Sequence, residues 1–421
     1  MAEEEFDILT YAEMEEARQF SGLLDTPSMS CAIDKLQDHL NQLHALKLNI
    51  AVTGESGSGK SSFVNAIRGL RDDDEQSAKT GVVETTMKPT PYSHPRHPNV
   101  IIWDLPGIGT ENFNAEEYLE KVRFDRYNFF ILITSDCFKS SSVDLAKAIE
   151  ERNKKFYFLR TKIDENIRAE KRKRTFDQDK VLHEIRTDCL KGLKKCGVEC
   201  PRVFLISSHE LGEYDFSILV DTLAYALPRH RERDVLLYAL PNICLQIHQR
   251  KREILQARVW RTALLFAAKA TLPGLPLVDK NILLIEMTKY YEAFSVNDES
   301  LERLYDQTNV PVEESKACLK SPPNAEISAE AMGKRLGWDN VGNEFPVKVR
   351  PVLASLPAMA VGAEGGKVST VLSVLPVLGS APLAAQIFYK AKRVLQDCLE
   401  ELADDAERVL CRAWVQQQTP V

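Results

Sequence analysis

The sequence predicts an α/β domain on a mostly parallel sheet, joined to an all-α portion. Three observations predict it. Short apolar runs alternate with helix-length patterns across residues 48–227, a glycine-rich turn links the first such run to the first helix, and after Pro228 long amphipathic patterns replace the strand signal. Alternating strands and crossovers indicate parallel pairing, because parallel neighbours need a long connection where antiparallel ones need only a tight turn.

In chain order, residues 30–46 place Ile33, Leu36, Leu40 and Leu43 on one helical face, so residues 1–47 read as an N-terminal helical segment. Residues 48–227 read as the sheet domain, with strands expected at Leu48–Val52, Val100–Trp103, Phe129–Ile133, Phe156–Leu159 and Val203–Ile206. Each run is followed by polar residues, and in an open α/β sheet the loops at the carboxyl ends of the strands carry the ligand. Residues 228–421 read as a C-terminal helical domain. Its last helix is the clearest, because Ile387, Ala391, Val394, Cys398, Leu402, Val409 and Ala413 recur at spacings of three, four or seven. Stretches 321–324 and 342–351, rich in Pro, Gly and Asn, read as connections.

Composition narrows the function classes. A formal net charge of -7 over 421 residues opposes a general polyanion-binding surface, so nucleic acid is not an expected partner. Nine scattered cysteines suit reduced thiols better than a disulfide framework, and Cys196 and Cys200 lack a second ligand pair at metal spacing. The start Met-Ala-Glu-Glu-Glu is unlike a signal peptide, and Ala2 stands where N-myristoylation requires glycine. The sparsely charged stretch 368–389 is broken by Pro376, Gly379 and Pro382, which favours two buried helices and a turn over a membrane span.

The chemistry begins at residues 54–61, Gly-Glu-Ser-Gly-Ser-Gly-Lys-Ser, placed between a strand and a helix. That is the P-loop pattern. Gly54, Gly57 and Gly59 let the backbone of Glu55, Ser56, Ser58 and Ser62 turn its N–H groups toward phosphate oxygens, reinforced by the helix dipole. Lys60 would reach the β and γ phosphates, and Ser61 would give its hydroxyl to Mg2+.

A second element, Asp104-Leu105-Pro106-Gly107, ends the next parallel strand. Asp104 would reach the magnesium shell, and the Gly107 N–H the γ phosphate. The third, Thr161-Lys162-Ile163-Asp164, selects the base. A carboxylate at Asp164 accepts the ring N–H and the exocyclic amine of guanine, whereas adenine offers no such pair. Lys162 would lie along the base, and Ser207-Ser208 at the next strand end would supply a backbone N–H to the base oxygen. GTP/GDP with Mg2+ is therefore the expected ligand set, and GTP hydrolysis the expected activity, on a Ras-like P-loop GTPase domain.

Small GTP-binding proteins usually carry Asn where Thr161 stands, which removes one amide contact. In the loop between the P-loop and Asp104, Thr80, Thr85 and Thr86 are each able to complete the magnesium shell, with Ser61, Thr86 and Asp104 the expected ligand set. Ile108 follows Gly107 where Ras-like enzymes place a water-orienting Gln, so hydrolysis by an isolated monomer should be slow, with Glu84 the nearest acid able to help. Ile108 and Thr161 also leave room for a second reading, a nucleotide-gated docking module with negligible hydrolysis.

Thr-Gly-Val-Val-Glu (80–84), Met-Lys-Pro-Thr-Pro-Tyr (87–92) and Trp-Asp-Leu-Pro-Gly-Ile-Gly (103–109) together resemble the immunity-related, interferon-inducible GTPases. The likeness continues through residues 161–164, Leu240-Pro241-Asn242-Ile243 and residues 290–304. Lys60 matches the members that keep lysine in the P-loop, where regulatory members carry methionine. The resemblance implies a dynamin-like GTPase of cell-autonomous innate immunity, cytoplasmic and in peripheral contact with intracellular membranes around pathogens. It implies a helical domain made from the N-terminal helix and the C-terminal third. It also implies homodimers or oligomers through the GTP-binding domains, and pairing with related GTPases. Glu84 matches the family's activating glutamate, and Thr80 and Thr86 its regulatory switch threonines. Ala2 departs from the acylated members, and the apolar region 352–383 has no clear counterpart. The basic cluster Lys171, Arg172, Lys173 and Arg174 reads as a solvated loop with anionic lipid as the alternative.

Overall fold

The computed structural model describes residues 47–81, 86–108, 114–136, 140–195, 202–227, 230–271, 281–294, 298–308, 310–320 and 381–417, with a few single positions between them. The chain divides into two compact units. One takes in residues 43–247, 302–311 and 413–421; the other includes 248–301 and 312–412.

The first unit is built on six strands. β1 (Leu48–Gly54) leads through the glycine-rich turn into α1 (Lys60–Ile67), and β2 (Thr90–Ser93) turns into β3 (Val100–Asp104). Then come α2 (Ala115–Val122), β4 (Phe129–Thr134), α3 (Ser140–Glu151), β5 (Lys155–Arg160), α4 (Ile163–Glu170), α5 (Gln178–Lys195), β6 (Val203–Leu205), α6 (Phe216–Ala226) and α7 (His230–Ala239). The strand order is β2-β3-β1-β4-β5-β6. All neighbours are parallel except β2, which runs antiparallel to β3. The five strands expected from the apolar runs all form. β2 went unread, because a four-residue run with Pro91 in it carries little period-two signal, and the missing proline N–H confines such a strand to a sheet edge.

Every residue of β4 is buried, as a central strand covered on both faces requires. Phe130 and Leu132 join a core with Leu119 and Val122 of α2, Leu145 and Ile149 of α3, and Leu193 of α5. Their alternates Phe129, Ile131 and Ile133 are equally buried and face the other way. Burial of one such side chain contributes about 1.5–3 kcal/mol. β1 has β3 on one side and β4 on the other, so connections leave it in both directions. That switch point opens a crevice at the carboxyl ends of β1, β3 and β4. The order, the antiparallel edge and the P-loop after β1 are those of a Ras-like P-loop GTPase domain.

The second unit contains most of α8 (Leu245–Thr271), α9 (Asn281–Phe294) and α12 (Ala381–Gln417), with α11 (Val312–Ala317); α10 (Asp298–Thr308) crosses the division. The seven apolar positions read on the last helix are all buried. α8 and α9 hold a buried ion pair, with Arg258 Nε and Nη2 donating to Glu286 Oε1 and Oε2 at 2.8 and 3.1 Å. Arg258 and Lys289 hold the Glu286 carboxyl below its ordinary range, against the upward push of its own burial. No helix among the described residues is long and apolar enough to cross a membrane.

Candidate functional site

The turn after β1 is forced into shape by close approach. Gly54 has φ 145°, and a Cβ there would lie 2.0 Å from the Ile133 carbonyl oxygen on β4, so only glycine fits. Gly59 caps α1 with φ 87°, in the left-handed region. Ser58 lies buried between them, its N–H and hydroxyl both turned onto the Glu55 carbonyl, at 3.3 and 2.8 Å. The Lys60 ammonium folds onto the same carbonyl at 2.8 Å. Ser56 and Gly57 are exposed, while Ser61 and Ser62 are half-buried at the start of α1.

Asp104 closes β3 beside this turn. Ser61 Oγ and Thr86 Oγ1 both donate to its Oδ2, at 2.7 and 2.8 Å, while its buried Oδ1 has no hydrogen-bond partner among the described residues. Burial pushes the Asp104 carboxyl above its ordinary range, and the two hydroxyls and Lys60 only partly offset that. Buried carboxylate oxygen without a donor is costly, and a hard cation is the group that relieves it. One carboxylate and two hydroxyls suit Mg2+, which prefers few protein ligands and completes its shell with phosphate and water. Among the described residues no cluster of three or more His, Cys, Asp or Glu could hold a metal alone. The residues therefore fit magnesium carried with a phosphate ligand. Of the three threonines left open by the sequence, Thr86 touches Asp104, Thr80 is exposed, and Thr85 lies outside the described residues.

The base-side residues gather at the ends of β5 and β6. Thr161 is buried, and its Oγ1 donates to the Ser58 carbonyl at 2.7 Å and lies 3.1 Å from the Thr134 carbonyl. The Thr161 hydroxyl thereby ties the phosphate turn to β4 and β5. Lys162 caps α4 in a left-handed conformation, φ 57°, and Asp164 is buried in the first turn of that helix. Ser207 is fully buried, its Oγ accepting from the His209 and Glu210 N–H groups at 3.2 and 3.1 Å, with Ser208 half-buried beside it.

Some residues around the site carried no motif. Tyr118 Oη lies 2.7 Å from Thr53 Oγ1 and 3.0 Å from the Pro106 carbonyl. Asn65 on α1 bonds Ala78 through both its amide oxygen and nitrogen, at 2.6 and 2.9 Å. Arg68, also buried, donates to the Gln76 and Ser93 carbonyls, so the segment leading toward Thr80 is pinned to α1. Asp215 closes the outer edge of β6: its N–H donates to Leu205 O, and its Oδ2 accepts from Leu205 N. Their partners lie between 8 and 65 residues away along the chain, and a lone polar residue gives no local signal of that.

Gly107 is half-buried, flanked by the Pro106 carbonyl bonded to Tyr118 and by the Ile108 N–H donated to Gly54 O at 3.0 Å. Ile108 itself is buried. Glu84 lies outside the described residues, as do Cys196, Cys200, residues 321–380 and most of the helix read at 30–46. Lys171, Arg172, Lys173 and Arg174 are exposed in the turn after α4, with Lys173 paired to Glu170 at 2.5 Å.

A family model described as interferon-inducible GTPase (IIGP) matches residues 16–338, well over half of the chain. Interferon-gamma-inducible GTPase 10 of Mus musculus is 42% identical over 287 residues, covering 67% of this chain and 69% of its own. Interferon-inducible GTPase 5 of Bos taurus is 36% identical over 421 residues, covering 99% of this chain and 85% of its own. Among solved structures, Toc33 from Arabidopsis thaliana in complex with GDP and Mg2+ aligns with 47% of this chain and 79% of its own, at 14% identity and a TM-score of 0.31. With its P-loop, its Asp-Leu-Pro-Gly loop and its Thr-Lys-Ile-Asp element in place on that sheet, the chain belongs to the interferon-inducible GTPase family.

Proposed function

We propose that this chain binds guanine nucleotide with Mg2+ and hydrolyses GTP to GDP and phosphate, faster when two copies pair through their GTP-binding domains. The observation that carries the reading is the meeting of Ser61 and Thr86 on one oxygen of buried Asp104, whose other oxygen has no donor, beside the turn that holds Lys60. The names of the relatives, GTPases themselves, support it.

In this reading the backbone from Gly54 to Ser62 surrounds the phosphates, and Lys60 leaves the Glu55 carbonyl to pair with them. Ser61, Thr86 and Asp104 hold the cation, whose chemistry is to offset the charge gathering on the phosphate oxygens. Gly107 donates its N–H to the terminal phosphate. Asp164 accepts from the guanine edge, Lys162 lies along the base, and the Ser207-Ser208 loop faces the base oxygen.

Water needs another director. The Ile108 side chain is buried and its N–H is committed to Gly54, so neither is available to orient a nucleophile. Glu84, from the same chain or across a twofold, is the acid proposed for that role. Assembly-dependent turnover follows, with related GTPases as further partners. Peripheral membrane contact through the exposed Lys171–Arg174 turn, from a cytoplasmic location, belongs to the same reading.

The test is GTP turnover per molecule across a wide range of protein concentration. Turnover that climbs with concentration supports assembly-driven hydrolysis, and loss of turnover with retained binding in Glu84→Ala assigns the acid. A flat specific activity overturns the assembly step.

A further inference from the structure

Tyr118 sits on α2, away from every motif that identified the site, yet its hydroxyl reaches the centre of the Asp-Leu-Pro-Gly loop. The helix beneath it is firmly set. Asn114 caps it by accepting from the N–H groups of Glu116 and Glu117 at 2.9 and 3.3 Å, Leu119 and Val122 are buried, and Glu116 is paired with Arg152.

A tyrosine hydroxyl has one proton to donate. Because the Pro106 carbonyl can only accept, both contacts are satisfied at once only when Tyr118 donates to it, at 3.0 Å, and Thr53 donates to Tyr118 Oη across the 2.7 Å contact. With both bonds made, the relay runs from Thr53, next to the phosphate turn, to Tyr118, to Pro106.

The consequence lies in the geometry of one peptide unit. The carbonyl of Pro106 and the N–H of Gly107 belong to the same plane and, in a trans peptide, point in opposite directions. No cis peptide occurs among the described residues. Holding the carbonyl toward Tyr118 therefore aims the Gly107 N–H away from α2. The next plane is held too, by Ile108 N–H to Gly54 O at 3.0 Å. Among the described residues no hydrogen bond occupies the Gly107 N–H itself.

We propose that Tyr118 is a positioning residue that aims the Gly107 N–H at the terminal phosphate of GTP and so sets the preference for GTP over GDP. The proposal rests on the GTP-binding reading above. GDP lacks the group that this N–H would meet, so the two nucleotides report on different parts of the site.

The experiment is titration of the full chain with Mg2+ and either GDP or a non-hydrolysable GTP analogue. Tyr118→Phe keeps the ring and removes the hydroxyl. The GDP affinity should stay within about twofold of the original, while affinity for the GTP analogue falls about tenfold, as loss of an oriented donor predicts. Parallel losses for both nucleotides, or no change in either, overturn the proposal. Should Tyr118→Phe fail to fold, Thr53→Val decides, because it frees Tyr118 Oη from its donor: a ratio of GTP to GDP affinity reduced about threefold supports the relay, and an unchanged ratio overturns it. Failure of the unaltered chain to bind GDP at all overturns the guanine-nucleotide reading, and is distinct from either outcome.

Discussion

Replacing Thr161 with valine changes one hydroxyl for a methyl at nearly constant shape, and the structure fixes what that costs. Thr161 Oγ1 donates to the Ser58 carbonyl at 2.7 Å and sits 3.1 Å from the Thr134 carbonyl. The Thr134 carbonyl keeps another donor, the Thr161 N–H at 2.8 Å, so valine orphans only the Ser58 carbonyl, inside a buried residue. A buried acceptor left without its donor costs about 1–3 kcal/mol. Where the phosphate turn relaxes without nucleotide, the cost moves from folding to binding, so the sum of the two losses is the quantity to measure. Urea unfolding without nucleotide and GDP titration give both parts. Thr161→Val should show a summed loss of about 1–3 kcal/mol, divided between midpoint and affinity, where tenfold in affinity is about 1.4 kcal/mol. Thr161→Ser, which keeps the hydroxyl, should show much less. A summed loss under about 0.5 kcal/mol in the valine variant refutes the strut, since that is the scatter expected of an inert substitution.

Other consequences follow from burial. Burial raises the Asp104 carboxyl, so without ligand its ionisation works against the fold, and stability falls as pH rises through the raised pKa. Asp104→Asn should therefore raise the nucleotide-free urea midpoint at pH 7 while removing the magnesium dependence of nucleotide binding; a lowered midpoint contradicts this. His248 on α8 is fully buried, and among the described residues neither ring nitrogen has a hydrogen-bond partner. Burial, with Arg252 and Lys251 nearby and Asp404 opposing them, lowers its pKa from 6.5 to about 4. Neutral His248 thus favours the fold above pH 6.5, and that stability drains away as pH falls toward about 4. At 1.36 kcal/mol per unit the loss is at most about 3 kcal/mol, and His248→Leu should flatten the urea midpoint between pH 7.5 and 5; an unaltered slope removes His248 from the account. Gly54→Ala drives a methyl to 2.0 Å from the Ile133 carbonyl and should cost more than about 3 kcal/mol, read as a lost urea transition. A soluble alanine variant with a normal midpoint would show that β1 and β4 can separate at this point.

Legibility followed how local each signal was. β4 announced itself because five consecutive buried apolar residues, Phe129 to Ile133, form an unbroken run, and the phosphate turn because Gly54 and Gly59 have geometries that side chains resist. The last helix was readable because its seven apolar positions share one face, all of them buried. β2 was hidden by Pro91 and by being only four residues at an edge. The three switch threonines could not be separated by spacing, since what distinguishes Thr86 from Thr80 is Asp104 Oδ2 at 2.8 Å, a fact of tertiary structure. Tyr118, Asn65, Arg68 and Asp215 were invisible for the same reason. The tie from Thr161 to Ser58 was hidden too, because the hydroxyl's reach across 103 residues depends on how β5 is laid beside the phosphate turn.

GTP hydrolysis by the purified full chain, with magnesium and with magnesium chelated, tests the central claim most directly, using Lys60→Ala as the blank. The account predicts release of phosphate from GTP that requires magnesium and disappears in Lys60→Ala, with ATP a poor substitute. Phosphate release that persists in Lys60→Ala, or that proceeds equally well with ATP, would contradict it.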